Sequence, residues 1–396
     1  MGEDDFVVKG FKANAVAAGI KKGGGLDLAL IFSEKEASAA GVFTSNKVKA
    51  APVILSREHV RRGRARAIVA NAGNANACTG RDGYLAARRT AETAAVELGL
   101  ETEEILVAST GVIGAPLNAE LIAGAMPALV EGLSPGGLGK AVEAIMTTDS
   151  FPKMARFEGI AGGQPFRISG IAKGAGMIMP DMATMLSFAL TDLAIDEGLL
   201  KKALGAAVNK TFNRITVDGD TSTNDVVFIL ANGAAGNGTL KAADFDSFEK
   251  GLTRVLEELA VMVVKDGEGA TKVVTIHIKG ASSNDDAGRA ARAVANSTLV
   301  KTAFYGQDPN WGRIMAALGR SGIEMIEERT SIWVDEVKIV DQGIGAGILA
   351  EKEATERMKG PEFGVTVDLG LGVCEDRILT CDLTHEYVSI NAHYRT

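Results

Sequence analysis

The sequence predicts an α/β protein. Short apolar runs of strand length alternate along the chain with helical stretches. Glycine is abundant at 47 residues while aromatic residues make up only 5%, which suits tight turns and close backbone packing. The length of 396 residues is enough for two domains or one large one. Hydrophobic residues at 46% and charged residues at 23% are ordinary for a soluble globular protein.

Taken in order, Asp27-Leu-Ala-Leu-Ile-Phe32 and Arg66-Ala-Ile-Val-Ala70 read as strands. Asn71-Ala-Gly-Asn-Ala-Asn-Ala-Cys-Thr-Gly80 follows; loops of this content either bring backbone close to a ligand or make a tight surface connection. A helix is predicted over Asp82–Leu98, with Asp82 as N-cap and Gly99 as the stop. Glu104-Ile-Leu-Val-Ala108 reads as a strand that delivers Ser109-Thr-Gly-Val-Ile-Gly114, and Pro116 opens another helix. A strand–glycine–helix junction of this kind leaves backbone N–H groups that can hold an oxyanion, or is simply an ordinary turn.

Further along, Thr184-Met-Leu-Ser-Phe-Ala-Leu-Thr191 has strand character and 196–209 contains a helix. The polar stretch Ile215-Thr-Val-Asp-Gly-Asp-Thr-Ser-Thr-Asn-Asp225 superficially resembles a calcium loop. Its glycine and closing carboxylate are misplaced, so it reads as a turn network beside a site rather than a metal site. Asp225–Leu230 returns to strand. Asp246 and Glu249 suggest a capping box ahead of the helical stripe Leu252, Val255, Leu256 and Leu259. Glu268 sits between two glycines, either exposed to whatever lies above it or in a solvated turn. The segment 276–384 carries its own strand signals, Ser331–Val334 and Phe363–Asp368, and reads as a smaller second domain. Residues 1–275, with a return at 385–396, form the main domain. The terminal Val388–Thr396 forms a short polar–apolar alternation, and the chain end reads as tied down rather than frayed.

The stretch from Lys173 to Phe188, KGAGMIMPDMATMLSF, is the most telling. It sets Thr184 behind the small Ala183 at the mouth of an apolar strand, with Gly174, Gly176 and Pro180 making the approach irregular. A threonine needs a base to become a nucleophile. If the chain is cut just before it, the new terminal amine supplies one, and such an amine titrates near pH 7.7–8.0 by about the ordinary value. Self-cleavage would begin with attack of the Thr184 hydroxyl on the Ala183 carbonyl. The plainer reading is a buried strand after a glycine-rich loop. A phosphate loop lacks the required G-x-x-x-x-G-K-[ST] order, and nothing else marks Lys173 as a Schiff-base lysine.

Other classes fit poorly. The net charge is −8 and no long basic run or aromatic–basic stripe appears, so no nucleic-acid partner is expected. Cys78, Cys374 and Cys381 lack metal-ligand spacing, and with four histidines no metal site is expected. His277, inside Val273–Lys279, reads as a strand residue. The acidic N-terminus carries no secretory signal, no run approaches the roughly 20 apolar residues of a membrane span, and a cytoplasmic location is expected.

These stretches together resemble the glutamate N-acetyltransferases of arginine biosynthesis, also called ornithine acetyltransferases. The resemblance runs nearly the full length. It rests on Ala72–Gly80, Ser109–Gly114, Thr147-Thr-Asp-Ser-Phe-Pro-Lys153, Lys173–Thr184, Asp218–Asp225, Lys265-Asp-Gly-Glu-Gly-Ala-Thr271, Tyr305-Gly-Gln-Asp-Pro-Asn-Trp-Gly-Arg313 and Asn391–Thr396. The resemblance implies an α-β-β-α sandwich of two central sheets covered by helices, with a smaller α/β second domain. It implies self-cleavage at 183/184 into an α chain, 1–183, and a β chain, 184–396, assembling as α2β2. It implies ping-pong transfer of acetyl from N-acetylornithine to glutamate, yielding ornithine and N-acetylglutamate. Thr184 would carry the acetyl group, Thr110 and Gly111 would form the oxyanion hole, and Thr147, Lys173, Glu268, Asn391 and Thr396 would contact substrate. No cofactor is implied, though some members also take acetyl-CoA as donor. A self-cleaving hydrolase and a non-enzymatic binding protein with an inert Thr184 are the competing readings.

Overall fold

A computed structural model describes residues 3–179, 185–240 and 245–393, with side chains from Asp5 onward. Contacts divide the chain into two compact units. One comprises residues up to Asn213 together with Asp220–Val263; the other comprises Arg214–Gly219 and the chain from Val264 onward.

In the first unit, β1 (Phe11–Val16), β2 (Leu28–Phe43), β3 (Arg64–Asn74) and β4 (Ile105–Val112) are followed by β5 (Lys153–Ala161), β6 (Gln164–Lys173), β7 (Leu186–Thr191) and β8 (Val226–Ala231). They hydrogen-bond in the order β4-β3-β2-β8-β7-β6-β5, with β1 also on β2. The long β2 divides the sheet in two. Residues 28–32 lie between β1 and β3, the register then shifts between Phe32 and Ala37, and Ser38–Phe43 pair with β8. The irregularity bends the strand and re-aims its second half.

Two layers result, and they enclose one core. Ile31, Ile68 and Leu106 from the first layer share a buried cluster with Leu186, Phe188, Phe228 and Leu230 from the second. Phe188 stacks on Phe228 at 5.9 Å. The outward faces are covered by helices, because strand side chains alternate and both faces of these strands are apolar. Leu28, Leu30, Val69 and Val107 pack on α1 (Ala51–His59), α2 (Gly80–Leu98) and α3 (Ala119–Glu131). Of the remaining helices, α4 (Leu138–Ile145) adds Val142 and Ile145 to the inner core, and α5 (Glu197–Lys210) precedes α6 (Asp246–Lys265). α6 lies close on β6: a Cβ on Gly170 would stand 2.8 Å from Val255. This is the α-β-β-α sandwich that the resemblance implied.

The second unit holds β9 (Val273–Ala281), α7 (Asn284–Ala295), α8 (Thr298–Tyr305), α9 (Trp311–Gly319), β10 (Ser331–Val334), β11 (Val337–Asp341), β12 (Ile344–Gly345), α10 (Ile348–Met358), β13 (Glu362–Asp368), β14 (Cys374–Cys381) and α11 (His385–His393). Its sheet runs β12-β11-β10-β13-β9-β14, with β9 and β13 parallel. Ile276, Ile278, Val365, Val367 and Ile378 pack there against Ala290, Ala291, Val294 and Met358.

Local differences from the sequence reading have physical causes. The second helix begins at Gly80, not at an Asp82 cap, so Asp82 occupies its first turn, while Gly99 ends it with φ +66° as expected. Asn118, not Pro116, starts the third: its side chain accepts from the Glu120 N–H. Asp246 is already helical rather than a cap. The units part at Val263/Val264, whereas the sequence reading drew its boundary at 275/276; residues 264–272 lead directly into β9. The alternation read near the chain end is helix α11, begun where the Thr384 hydroxyl accepts from the Tyr387 N–H at 3.4 Å. That helix belongs with the second unit, and residues 394–396 lie outside the described residues.

Candidate active site

Lys173 ends β6 and is almost fully buried, with 4% exposure. Its ammonium donates to the Thr147 hydroxyl at 2.7 Å and to the Thr110 hydroxyl at 3.3 Å. The structure thus brings together three of the predicted residues, drawn from β4, β6 and the segment after α4. Asp149 is the partner that sequence reasoning passed over, although it lies inside the motif that supplied Thr147. Its carboxylate accepts from Lys153 Nζ at 2.7 Å, the Gly174 N–H at 2.6 Å and the Thr147 N–H at 3.0 Å, and stands 3.8 Å from Lys173 Nζ. Burial pushes this carboxyl up, but the Lys173 and Lys153 charges and the hydrogen bonds outweigh it and hold it at about 2. Among the described residues Asp149 is the carboxylate that both buried lysines approach, and an ammonium placed like that of Lys173 suits a carboxylate-bearing ligand.

Lys21 was also missed. Its ammonium donates to the carbonyls of Leu26 at 2.7 Å and Ala144 at 3.3 Å. Burial and the positive charge of Lys173 lower its pKa against the opposing pull of Asp27 and Asp149. The lysine-rich run Lys21–Lys22 gave no hint, because a carbonyl partner across the fold leaves no trace in spacing.

The Thr110–Gly111 pair lies within β4, not at a strand–helix junction. β4 is the outer strand of its layer, so alternate residues turn their backbone groups away from β3. Side chains occupy that edge in sequence. His59 meets the Ile105 carbonyl at 2.7 Å, the Ser56 hydroxyl bonds both the N–H and the carbonyl of Val107 at 2.7 Å, and Asn224 Nδ2 donates to the Ser109 carbonyl at 2.8 Å. By the same period Gly111 is next on this edge. Gly111 has φ +128°, and a Cβ there would lie 2.4 Å from the Gly73 carbonyl carbon. Only glycine fits, because neighbouring backbone occupies the space.

The stretch 71–80 is likewise part strand, part tight turn. β3 continues through Asn74. The Ser109 hydroxyl donates to Asn71 Oδ1 at 2.6 Å, and Asn71 Nδ2 donates to the Asn74 carbonyl at 2.9 Å. Asn76 takes φ +48°, an uncommon conformation that asparagine tolerates better than most. These amides explain a motif too polar for core: each satisfies backbone left open by the turn.

Thr184 and Ala183 lie outside the described residues. On the carboxyl side, Met185 is described. Its N–H donates to Asp225 Oδ1 at 2.9 Å, and its carbonyl accepts from Val226 N at 3.1 Å. On the amino side, Met177 has φ +57°, a costly conformation for an unbranched non-glycine residue.

In the second unit, Asn391 Nδ2 donates to Glu268 Oε2 at 2.8 Å and to the Tyr387 carbonyl at 3.0 Å. These two predicted residues therefore meet, across more than a hundred residues of chain. The turn that presents Glu268 is fixed by Gly269, with φ +69°, where a Cβ would stand 2.6 Å from the Tyr387 nitrogen. Thr396 lies outside the described residues. Among the described residues no group of three or more His, Cys, Asp or Glu is placed to hold a metal ion, and no described helix is long and apolar enough to cross a membrane.

The protein is an acyltransferase, the class its relatives share, built on a helix-covered β-sandwich that buries a hydroxyl-bound lysine. The chain belongs to the ArgJ family, whose model matches residues 12–396. It is 53% identical to the arginine biosynthesis bifunctional protein ArgJ of Geobacter sulfurreducens, over 98% of this chain and 100% of that protein. Identity to the protein of the same name from Syntrophotalea carbinolica is 49%, covering 98% of this chain and 99% of the other. Among solved structures, the arginine biosynthesis bifunctional protein argJ of Bacillus halodurans is 45% identical, with a TM-score of 0.51, and covers 53% of this chain and 100% of its own.

Proposed function

We propose that the protein transfers acetyl from N-acetylornithine to glutamate through an acetyl-Thr184 intermediate. The observation that carries this reading is the Lys173 ammonium, buried and held by the hydroxyls of Thr147 and of Thr110, the neighbour of Gly111 on β4. The chain first cuts itself. The Thr184 hydroxyl attacks the Ala183 carbonyl, the peptide C–N bond breaks in favour of an ester, and water hydrolyses that ester. Ala183 is left as a carboxylate and Thr184 with a free amine that serves as base. The products are an α chain, 1–183, and a β chain, 184–396, which assemble as α2β2 in the cytoplasm.

In the first half-reaction Thr184 Oγ attacks the acetyl carbonyl, its proton passes to the new amine, and the amide C–N bond breaks. Ornithine leaves with the proton. In the second, the glutamate amine attacks the acetyl ester and Thr184 is regenerated. Gly111 and Thr110 serve the oxyanion of both steps, where each donor is worth roughly a hundredfold or more in rate. Lys173, steadied by Thr147, binds the α-carboxylate common to both amino acids. Glu268 with Asn391, and the terminal Thr396, contact the rest of the substrate. The reaction needs no cofactor. Acetyl-CoA is a second donor, a reading supported by the word "bifunctional" in the names of the relatives. There the sulfur, not an amine, leaves.

Intact mass and N-terminal sequencing under denaturing conditions test the first step: a fragment beginning Thr184-Met-Leu-Ser is expected. Ornithine release from N-acetylornithine, measured with and without glutamate, tests the second. If glutamate does not accelerate release, transfer is excluded in favour of hydrolysis.

A further inference from the structure

β4, which carries Thr110 and Gly111, and β7, which begins just after Thr184, have no direct backbone pairing: β3, β2 and β8 separate them in the sheet order. Any relative movement of these two strands would shift the nucleophile against the oxyanion site, and misplacement by about 1 Å can cost a hundredfold in rate. Two consecutive residues just before β8 bridge the gap. The Asn224 side-chain amide donates to the carbonyls of Ser109 at 2.8 Å and Ala75 at 2.6 Å. Its oxygen accepts from the Thr223 hydroxyl at 2.6 Å, which fixes which way the amide points. Asp225 Oδ1 takes the Met185 N–H at 2.9 Å. The bridge is itself anchored. The Thr44 hydroxyl donates to the Ser222 carbonyl at 2.7 Å and Ala50 N–H to the Thr223 carbonyl at 2.9 Å.

We infer that Asn224 and Asp225 are positioning residues that lock the oxyanion strand and the nucleophile strand into one catalytic register, Asn224 gripping the first and Asp225 the second. This inference rests on the acetyl-Thr184 reading above. Both side chains are buried, at 6% and 1% exposure, so neither serves solvation. Among the described residues no well-formed hydrogen bond reaches the buried Asp225 Oδ2, although the Ser222 and Thr44 hydroxyls lie near the carboxyl, a poor setting for an ionised carboxylate. Burial raises the Asp225 pKa well above the ordinary range, against the Met185 hydrogen bond, the Lys173 charge and the hydroxyls of Ser222 and Thr44. Asp225 acts as a neutral acceptor, and an amide of the same shape can replace it.

The test uses full-length chains and two readouts, the rate of self-cleavage by intact mass and the steady-state transfer of acetyl to glutamate. Asn224→Asp keeps shape but removes both donated bonds. It is expected to slow cleavage and lower kcat each by about tenfold or more, with the KM for N-acetylornithine within about threefold of wild type. Asp225→Ala is expected to do the same, and Asp225→Asn to restore most of both rates. Where Asn224→Asp does not fold, Asn224→Ala, which brings no charge, takes its place. An Asn224 variant that cleaves and turns over like wild type, or one that raises KM with kcat unchanged, overturns the inference alone. An Asp225→Asn chain as impaired as Asp225→Ala overturns the neutral-acceptor role. A wild-type chain that neither cleaves nor transfers overturns the underlying reading as well.

Discussion

Lys153 Nζ lies 2.7 Å from Asp149 Oδ1, and both side chains are fully buried. The same carboxylate stands 3.8 Å from Lys173. Charges of this kind are costly to remove from water, and they persist because each is paired and hydrogen-bonded.

Removing the central partner should therefore be severe. Asp149→Ala takes away the carboxylate that two buried ammonium groups approach, and a loss of about 3–5 kcal/mol is expected from breaking a buried pair on one side. Urea unfolding of purified wild type and variant checks this. A loss below about 1 kcal/mol would mean that water reaches the triad.

Acid should expose the same group. The Asp149 carboxyl is held at about 2 in the folded chain, below its unfolded value of about 3.9, so the unfolded state takes up protons first. Its contribution, about 2–3 kcal/mol, is present in full above about pH 4–5 and is lost as pH falls toward 2. Asp225 has the opposite sign. Its folded pKa is raised, so the folded state holds the proton longer, and stability is lost as pH rises above the unfolded value. Asp225→Asn should thus gain on wild type between pH 4 and 7 in denaturant titrations; a constant difference across that range would refute the raised pKa.

Gly111 should tolerate no side chain. With φ +128° and Gly73 backbone 2.4 Å from the added carbon, Gly111→Ala must move β3 against β4. A fall in transfer rate of about 10²–10³-fold is expected, the cost of losing one oxyanion donor. Initial-rate assays read it directly, and near-normal kcat would remove Gly111 from the site.

Lys173 should matter for binding more than for cutting. Lys173→Met keeps the stem but removes the charge. Loss of a charged hydrogen bond, worth about 1.5–3 kcal/mol, should raise the KM for N-acetylornithine about 10–100-fold. Self-cleavage, which involves no substrate carboxylate, should slow far less. Parallel measurement of KM and of the cleaved fraction separates the two, and an uncut chain with unchanged KM would reverse the assignment.

Much of this was legible locally. Gly99 ends its helix, the runs at 27–32 and 66–70 fall within β2 and β3, and Ser331–Val334 and Phe363–Asp368 are strands, because period and stop signals act within a few residues. The acetyltransferase-like motifs marked Thr110, Thr147 and Lys173, which do converge. The ends of elements were less legible. α11 was not read as a helix, since a short run of mixed residues fits both periods and its capping hydroxyl at Thr384 precedes the run.

The sequence by itself determined the α/β class, the family and most of the residues proposed for the reaction, because alternation, glycine placement and ordered motifs are properties of consecutive residues. Tertiary structure alone decided that β2 is shared between two layers, that Asp149 neutralises part of the Lys153–Lys173 charge, and that Asn224 reaches Ser109 across 115 positions. Those depend on which strands meet after the chain bends at 32–37. A buried polar side chain takes whatever partner that meeting supplies, since leaving it unpaired away from water costs more than any local preference can offset.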